Sequence, residues 1–442
     1  MLEVRRRVSG DDHPHTLTVM GNLAVTYSKQ GRWGEAEVLQ REVVEVRRRV
    51  SGDEHPGTLL AMGNLAATYS KQGQWGEAEV LQREVVEVRK RVSGDEHPST
   101  LLAMGGLAAT YWNQGRWGEA EVLEREVVEV RRRVSGDEHP DTLLAMGNLA
   151  ATYSNQGRWG EAEVLQREVL EVRRRVSGDE HPDTLVAMGN LAVTYSKQGR
   201  WGEAEVLQQE VVEVRKRVSG DEHTDTLTAM GNLAATYSKQ GRWGEAEVLQ
   251  REMLEVRRRV SGDDHPHTLT VMGNLAATYS KQGRWGEAEV VEQEVLEVRK
   301  RVLGDEHPDT LTAMANLAVT YYKQGRWGEA EPLLREVIEI GRRVWGNEHP
   351  KTLHWTRQLE VIQSQLAQSD TPPVEADPSA RLLEASRLDA MQGAETSDNV
   401  QSTPVFHNRR LIFWAFLVGL VCCFFSVVSF GRFLQILYDR PT

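Results

Sequence analysis

Residues 13–54 read HPHTLTVMGNLAVTYSKQGRWGEAEVLQREVVEVRRRVSGDE, and the same 42-residue phrase returns down the chain. Tryptophan marks it at Trp33, Trp75, Trp117, Trp159, Trp201, Trp243, Trp285 and Trp327. Histidine marks it at His13, His55, His97, His139, His181, His223, His265, His307 and His349. Eight full copies run from His13 to Glu348, and segments 55–96 and 139–180 differ at only five of 42 positions. A fixed period of this length means one small unit, copied and stacked, because neighbours must bury what one unit leaves exposed.

Each unit reads as two helices. Pro14 suits a first helical turn, where its missing N–H is not needed. Met20, Leu23, Ala24 and Tyr27 follow the i, i+3, i+4, i+7 spacing of one helical face. Gly31 breaks that helix. The second runs from about Trp33 to Val50, with the stripe Ala36, Leu39, Val43, Val46 and Val50. Glu35 and Glu37 at its start and Arg47, Arg48 and Arg49 at its end suit the helix dipole; Glu37–Arg41 and Glu45–Arg49 are i, i+4 pairs. Gly52 supplies the stop. The expected fold is all-α, a right-handed α-solenoid of 42-residue helix pairs, with the Trp33-type side chains packed as core at the turn between paired helices.

These residues resemble the tetratricopeptide repeats, in the 42-residue form of kinesin light chains. Met20, Leu23, Ala24 and Tyr27 match the family's first helix; Trp33 and Ala36 match the aromatic and the alanine after its turn. The His-Pro dipeptide and the triplet Asn22-Leu23-Ala24 are similar to the kinesin-light-chain form. The likeness covers residues 13–348 and recurs eight times. One position usually aromatic in the family falls on Gln40, which implies different packing of the second helix there. Near-identical copies also resemble the sensor arrays of fungal NOD-like receptors, but no GxxxxGK[ST] occurs in this chain. The N-terminal heptad coiled coil of kinesin light chains is absent as well. The resemblance implies a right-handed superhelix whose first helices line a concave, partner-binding groove.

The organisation follows from the period. Residues 1–12 are a partial repeat, 13–348 the eight repeats, 349–368 a capping helix, 369–408 a flexible linker, 411–430 a transmembrane helix and 431–442 a short tail. The cap keeps Trp355, Leu359, Ile362 and Leu366 on one stripe, with Arg357, Gln358, Gln363 and Gln365 polar. The linker carries Pro372, Pro373, Pro378 and Pro404 among polar residues, with a short helix expected over Leu382–Met391. Leu411–Phe430 is twenty residues without a charge, enough to cross a bilayer. Arg409 and Arg410 before it favour an array on the cytosolic side, and Arg432 and Arg440 oppose that bias. A single-pass, tail-anchored membrane protein is expected. Met1–Ala24 repeats Met253–Ala276 residue for residue, so the start is expected to be internal to a longer array.

Composition narrows the function. The 442 residues hold 53 basic and 65 acidic side chains, a net charge of −12, which argues against a nucleic-acid binder. The two cysteines, Cys422 and Cys423, are adjacent inside the apolar run, which excludes a disulfide framework or a four-cysteine zinc site. Each GDEHP loop groups Asp53, Glu54 and His55 or their equivalents, but one histidine per loop is too few for a metal, and the His13/His15 and His265/His267 pairs lack further ligands. Arginine triplets such as Arg131-Arg132-Arg133 stand near Glu126 and Glu129 of their own helix and read as a neutralised face. No nucleophile–base pair stands out. The chain is read as a non-enzyme with no cofactor, no metal, no nucleic acid and no small-molecule substrate: an interaction scaffold for a protein or peptide, an acidic one if the lysines below take part. The alternatives are a sensor fragment of a fungal NOD-like receptor NTPase and a kinesin-light-chain-like cargo adaptor.

Differences between copies locate the binding face. With each histidine as position 1, changes concentrate at positions 3, 6, 13, 16 and 17. At about 100° per residue, positions 6, 13 and 17 share one line, with 10 beside them and the core positions 8, 11, 12 and 15 opposite. Position 6 is Thr18, Leu60, Leu102, Leu144, Val186, Thr228, Thr270 and Thr312. Position 10 is a ladder of Asn22, Asn64, Asn148, Asn190, Asn232, Asn274 and Asn316, interrupted by Gly106. Position 16 is mostly serine, with Trp112 and Tyr322. Position 17 is Lys29, Lys71, Lys197, Lys239, Lys281 and Lys323, with Asn113 and Asn155 in repeats three and four. Asparagine amides pair with the backbone of an extended peptide, and lysines favour acidic side chains on it. Leu102, Trp112, Leu144 and Asn155 form the least charged stretch, an expected apolar anchor.

Overall fold

The computed structural model describes residues 2–369, and among them there are eighteen helices and no strand. They form two packed units, one of residues up to Ala187 and one from Met188 on, with the boundary inside α10 (Pro182–Lys197). In the first, α1 (Leu2–Ser9) precedes pairs such as α2 (Pro14–Lys29) with α3 (Trp33–Ser51), α4 (Pro56–Gln72) with α5 (Trp75–Ser93), α6 (Pro98–Asn113) with α7 (Trp117–Ser135), and α8 (Pro140–Asn155) with α9 (Trp159–Ser177). The second holds α11 (Trp201–Ser219), then α12 (Thr224–Lys239) with α13 (Trp243–Ser261), α14 (Pro266–Lys281) with α15 (Trp285–Leu303), α16 (Pro308–Lys323) with α17 (Trp327–Trp345), and α18 (Pro350–Ser369). Helices consecutive in the chain pack on one another in both units.

The loop residues set these boundaries. Each first helix is capped by its histidine, whose Nδ1 accepts the N–H two residues on: His139 from Asp141 at 3.2 Å, His55 from Gly57 at 3.1 Å. The GDEHP loop is thus cap chemistry, with a proline at N1 in most copies. Each second helix ends on a glycine such as Gly52, at φ 87° and ψ 166°, a conformation open essentially to glycine alone.

The core is assembled across repeats. In α4 the buried residues are Thr58, Leu59, Ala61, Met62, Leu65, Ala66, Thr68 and Tyr69, an arc of about half the helix. Second helices contribute residues such as Ala78, Gln82, Val85, Val86 and Val88. The unusual glutamine is therefore core: Gln82 Oε1 accepts from the Thr110 hydroxyl at 2.6 Å, and Gln250 from Thr278 at 2.8 Å, each tying a second helix to the next first helix. A polar clasp recurs beside it. Glu79 accepts from the Gln114 amide at 2.9 Å and from Arg116 at 2.7 Å, while Arg116 lies over the Tyr111 ring at 4.4 Å. Burial alone would raise the Glu79 pKa, yet Gln114 and Arg116 hold it below the ordinary carboxylate value. The same clasp joins Glu121 to Gln156 and Arg158, and Glu247 to Gln282 and Arg284.

Several expectations need correction. Trp33, Trp75, Trp117 and Trp159 stand at the turn but are 36–39% exposed, whereas Trp201, Trp243, Trp285 and Trp327 are half-buried and Trp327 packs against the core of the second unit. Val50 and its equivalents, at the frayed end of the stripe, face solvent. Glu37–Arg41 forms at 2.9 Å, but Arg49 turns to Asp12 in the preceding loop at 2.5 Å instead of to Glu45. The arginine triplets are neutralised by other elements: Arg131 by Asp141, Arg132 by Asp137 and Glu168, Arg133 by Glu96. In α18, Trp355 and Ile362 are buried as expected, but so is Gln358. Among the described residues no helix is long and apolar enough to cross a membrane. The span expected at 411–430 lies outside them, as do the expected linker beyond Ser369 and the tail.

Candidate functional site

The stripe predicted on the first helices faces solvent. Positions 8 and 12 are fully or almost fully buried, as with Met62 and Ala66, while positions 6, 10 and 17 stand open or half open in both units, apart from the buried Gly106. In the first unit Asn22, Leu60, Lys29, Lys71 and Asn155 are exposed, and Thr18, Asn64, Leu102, Trp112, Asn113, Leu144, Asn148 and Val186 half-buried. In the second, Lys197, Lys239, Asn274 and Lys281 are exposed, and Asn190, Asn232, Asn316, Tyr322 and Lys323 half-buried. The first helices of consecutive repeats, α4 and α6, touch directly, which places their stripes side by side.

The chemistry of the stripe differs by position. Threonines at position 6 turn inward: Thr18 donates to the Pro14 carbonyl at 2.9 Å and Thr270 to that of Pro266 at 2.9 Å, leaving a methyl group outward. Asn113 and Asn155 likewise donate to the Ala109 and Ala151 carbonyls, each at 2.8 Å. The position-10 ladder does not. The side-chain amides of Asn22, Asn64, Asn148, Asn190, Asn232, Asn274 and Asn316 make no hydrogen bond among the described residues. Each leaves two N–H donors and a carbonyl acceptor available. Lys29, Lys197, Lys239 and Lys281 form no ion pair among the described residues. Burial first, and then Lys239, push the Lys197 pKa down. No group of His, Cys, Asp and Glu suited to a metal occurs among the described residues.

Position 3 leaves the stripe. It lies at N2 of each first helix and faces the position-35 arginine of the repeat before, as Asp141 faces Arg131 at 2.7 Å. The arginine is kept whether position 3 is an aspartate or, as at Gly57, Ser99 and His267, is not, and it changes only at the last junction. In the last junction position 3 is Lys351 and position 35 is Gly341, so no two cations meet; Gly341 instead lies against the Trp355 ring and the Thr352 hydroxyl. Sequence reasoning also passed over Glu124 and Glu292, which replace the core glutamine in two repeats. Their signal was visible as two Gln-to-Glu changes at one buried position, each 8–9% exposed.

A Tetratricopeptide repeat model matches residues 2–48, 26–91, 61–133, 123–173, 141–217, 197–258 and 225–301. A second Tetratricopeptide repeat model matches 310–351.

The chain belongs to the tetratricopeptide repeat family.

No curated protein matches this tetratricopeptide repeat chain. Among solved structures it is similar to the Podosopora anserina kinesin light chain nearly identical TPR-like repeats, at 31% identity over 47% of this chain and 98% of that one, with a TM-score of 0.44. It is also similar to BtubC (BKLC) from P. vanneervenii, at 20% identity over 59% and 96% of the two chains, TM-score 0.46. The apo form of RapI shares the fold, at 11% identity over 80% and 99%, TM-score 0.50. The tetratricopeptide fold serves as a non-enzymatic scaffold for protein or peptide partners.

Proposed function

We propose that this repeat protein holds an extended, acidic segment of a partner protein along its first helices and presents it from a membrane. The observation that carries the reading is the asparagine ladder: seven side-chain amides at one helical position, without an internal hydrogen bond, on a face the core does not use. An amide pairs with a peptide backbone irrespective of its sequence, and the lysines beside it select acidic side chains. Leu102, Trp112 and Leu144, half-buried on the first helices of repeats three and four, supply the apolar anchor, because a half-buried aromatic gains from a partner side chain that covers it. The uncharged run at 411–430 provides the membrane anchor, with the repeats on the cytosolic side.

The test is selection of displayed random peptides on the purified protein, followed by affinity measurement of those enriched. Acidic extended peptides are expected. Asn64→Ala with Trp112→Ala and Asn148→Ala should weaken them at least tenfold, because three lost contacts at about 1 kcal/mol each exceed that factor. The circular-dichroism melt should stay unchanged. Unaltered affinity in this variant, with loss on replacing Arg91 and Arg133 of the second helices, would move the site to the outer face.

A further inference from the structure

The second helices α3, α5, α7, α9, α11 and α13 all end on a serine, whereas α15 ends on Leu303 and α17 on Trp345. Ser51, Ser93, Ser135, Ser177 and Ser219 are exposed, and Ser261 is half-buried. None of the five exposed hydroxyls makes a hydrogen bond among the described residues. Each follows two cations, placed three and two residues before it: Arg48 and Arg49, Lys90 and Arg91, Arg132 and Arg133, Arg174 and Arg175, Lys216 and Arg217. The core uses neither the hydroxyl nor the pair of cations.

The turn that carries each serine overhangs the stack. Val46 is buried, yet Val50, one turn later on the same stripe, and its equivalents Val92, Val134, Val176 and Val218 are 51–54% exposed. Beyond Ser51 the chain leaves the helix at Gly52, and Asp53, Glu54 and His55 are exposed as well. The turn is held by the bond from the Gly52 N–H to the Arg48 carbonyl at 3.0 Å and by solvent-facing ion pairs, Arg48 with Glu84 at 2.6 Å and Arg49 with Asp12 at 2.5 Å. Such pairs are weak, and a helix end without apolar packing opens at small cost. The last copy is closed instead: Trp345 stacks on His349 at 4.8 Å and lies 5.8 Å from Trp355.

We propose that Ser51, Ser93, Ser135, Ser177 and Ser219 are phosphorylation sites, for a protein kinase that selects cations three and two residues before the serine. Kinases choose substrates by charge pattern, and an acidic substrate groove takes this pair by charge-assisted hydrogen bonds. The γ-phosphoryl group of ATP passes to the serine Oγ: the Oγ–P bond forms, the bond from phosphorus to the bridging oxygen breaks, the hydroxyl proton goes to the kinase's catalytic carboxylate and ADP leaves. The phosphate then stands one turn from Arg48, at the negative end of the helix dipole, and competes with Glu84 of the next second helix for that guanidinium. Modification therefore acts on the ion pairs that join consecutive repeats, such as Arg132 with Glu168 at 2.7 Å.

Incubating the folded full-length chain with ATP and the catalytic subunit of cyclic-AMP-dependent protein kinase tests this. The tryptic peptides that follow Arg49, Arg91, Arg133, Arg175 and Arg217 differ in sequence, so mass spectrometry reads each serine by itself. Phosphate is expected on all five. Ser70 and Ser154 of the first helices, with no cation two or three residues before them, should stay unmodified. Arg48→Gln with Arg49→Gln should slow labelling of Ser51 at least tenfold, while the other four serines of the same molecule report that the array is intact. Leu303→Ser places a hydroxyl after Lys300 and Arg301 and should add a phosphate to that copy. Two results would overturn the proposal: a folded chain left unlabelled by kinase that labels a peptide of residues 47–54, or Ser51 labelled as fast in the arginine variant as in the native chain.

Discussion

Replacing Glu124 and Glu292 with glutamine should make the protein more stable at pH 8 and indifferent to pH where the native chain is not. Both carboxyls lie in second helices at the position that is glutamine in most repeats. Each keeps one oxygen buried without a hydrogen-bond partner. Burial pushes both pKa values up to about 7, opposed by Thr152 and Thr320 and reinforced by Glu121 and Glu289 on the same helices. The nearest cations are already engaged: Arg125 and Arg158 with Glu121, Arg326 with Glu289. A carboxyl whose folded pKa is raised holds its proton more tightly than the unfolded chain does. Stability is therefore greatest below the unfolded value near 4.5, falls as pH rises towards 7, and stays low above it. At about 1.4 kcal/mol per unit, the rise from 4.5 to about 7 sets a ceiling of roughly 3 kcal/mol per site, and structural relaxation brings the expectation to about 1–2. Urea denaturation of native and double-variant chains at pH 5, 6, 7 and 8 reads this directly. The two should agree near pH 5 and separate by pH 8, the variant ahead. Parallel curves from pH 5 to 8, or a variant weaker at pH 8, would refute the reasoning.

Two further outcomes are expected. His139→Ala removes the acceptor for the Asp141 N–H and should cost about 1 kcal/mol, as loss of a helix cap does, with hydrogen exchange accelerating first in the opening turn of α8; unchanged exchange there would mean that His139 does not cap. A tagged full-length protein should stay in the membrane pellet after carbonate extraction, and its release into the supernatant would contradict the span at 411–430.

The period of the sequence determined the helix pairs, their ends and the face turned to solvent. Proline at N1, glycine at the stop and a core stripe at positions 8, 11, 12 and 15 act locally, within one or two turns, so one copy suffices to read them. Eight copies add a candidate face: side chains free to change without harm to the core must lie away from it, and positions 6, 16 and 17 do, with the constant position 10 beside them. Position 3 broke that inference, because it varies yet lies off the stripe, at N2, where Asp183 meets an arginine 10 residues earlier in the chain, in the repeat before. Only the tertiary structure paired Asp141 with Arg131, Gln82 with Thr110 and Glu79 with Arg116, and sent Arg49 to Asp12 rather than to Glu45. These contacts join different helices, and the spacing within a helix carries no record of what the next one brings against it. Burial of Glu124 and Glu292, and so their raised pKa, is decided the same way. The helix fixes which way a side chain points, but the neighbouring repeat removes the water.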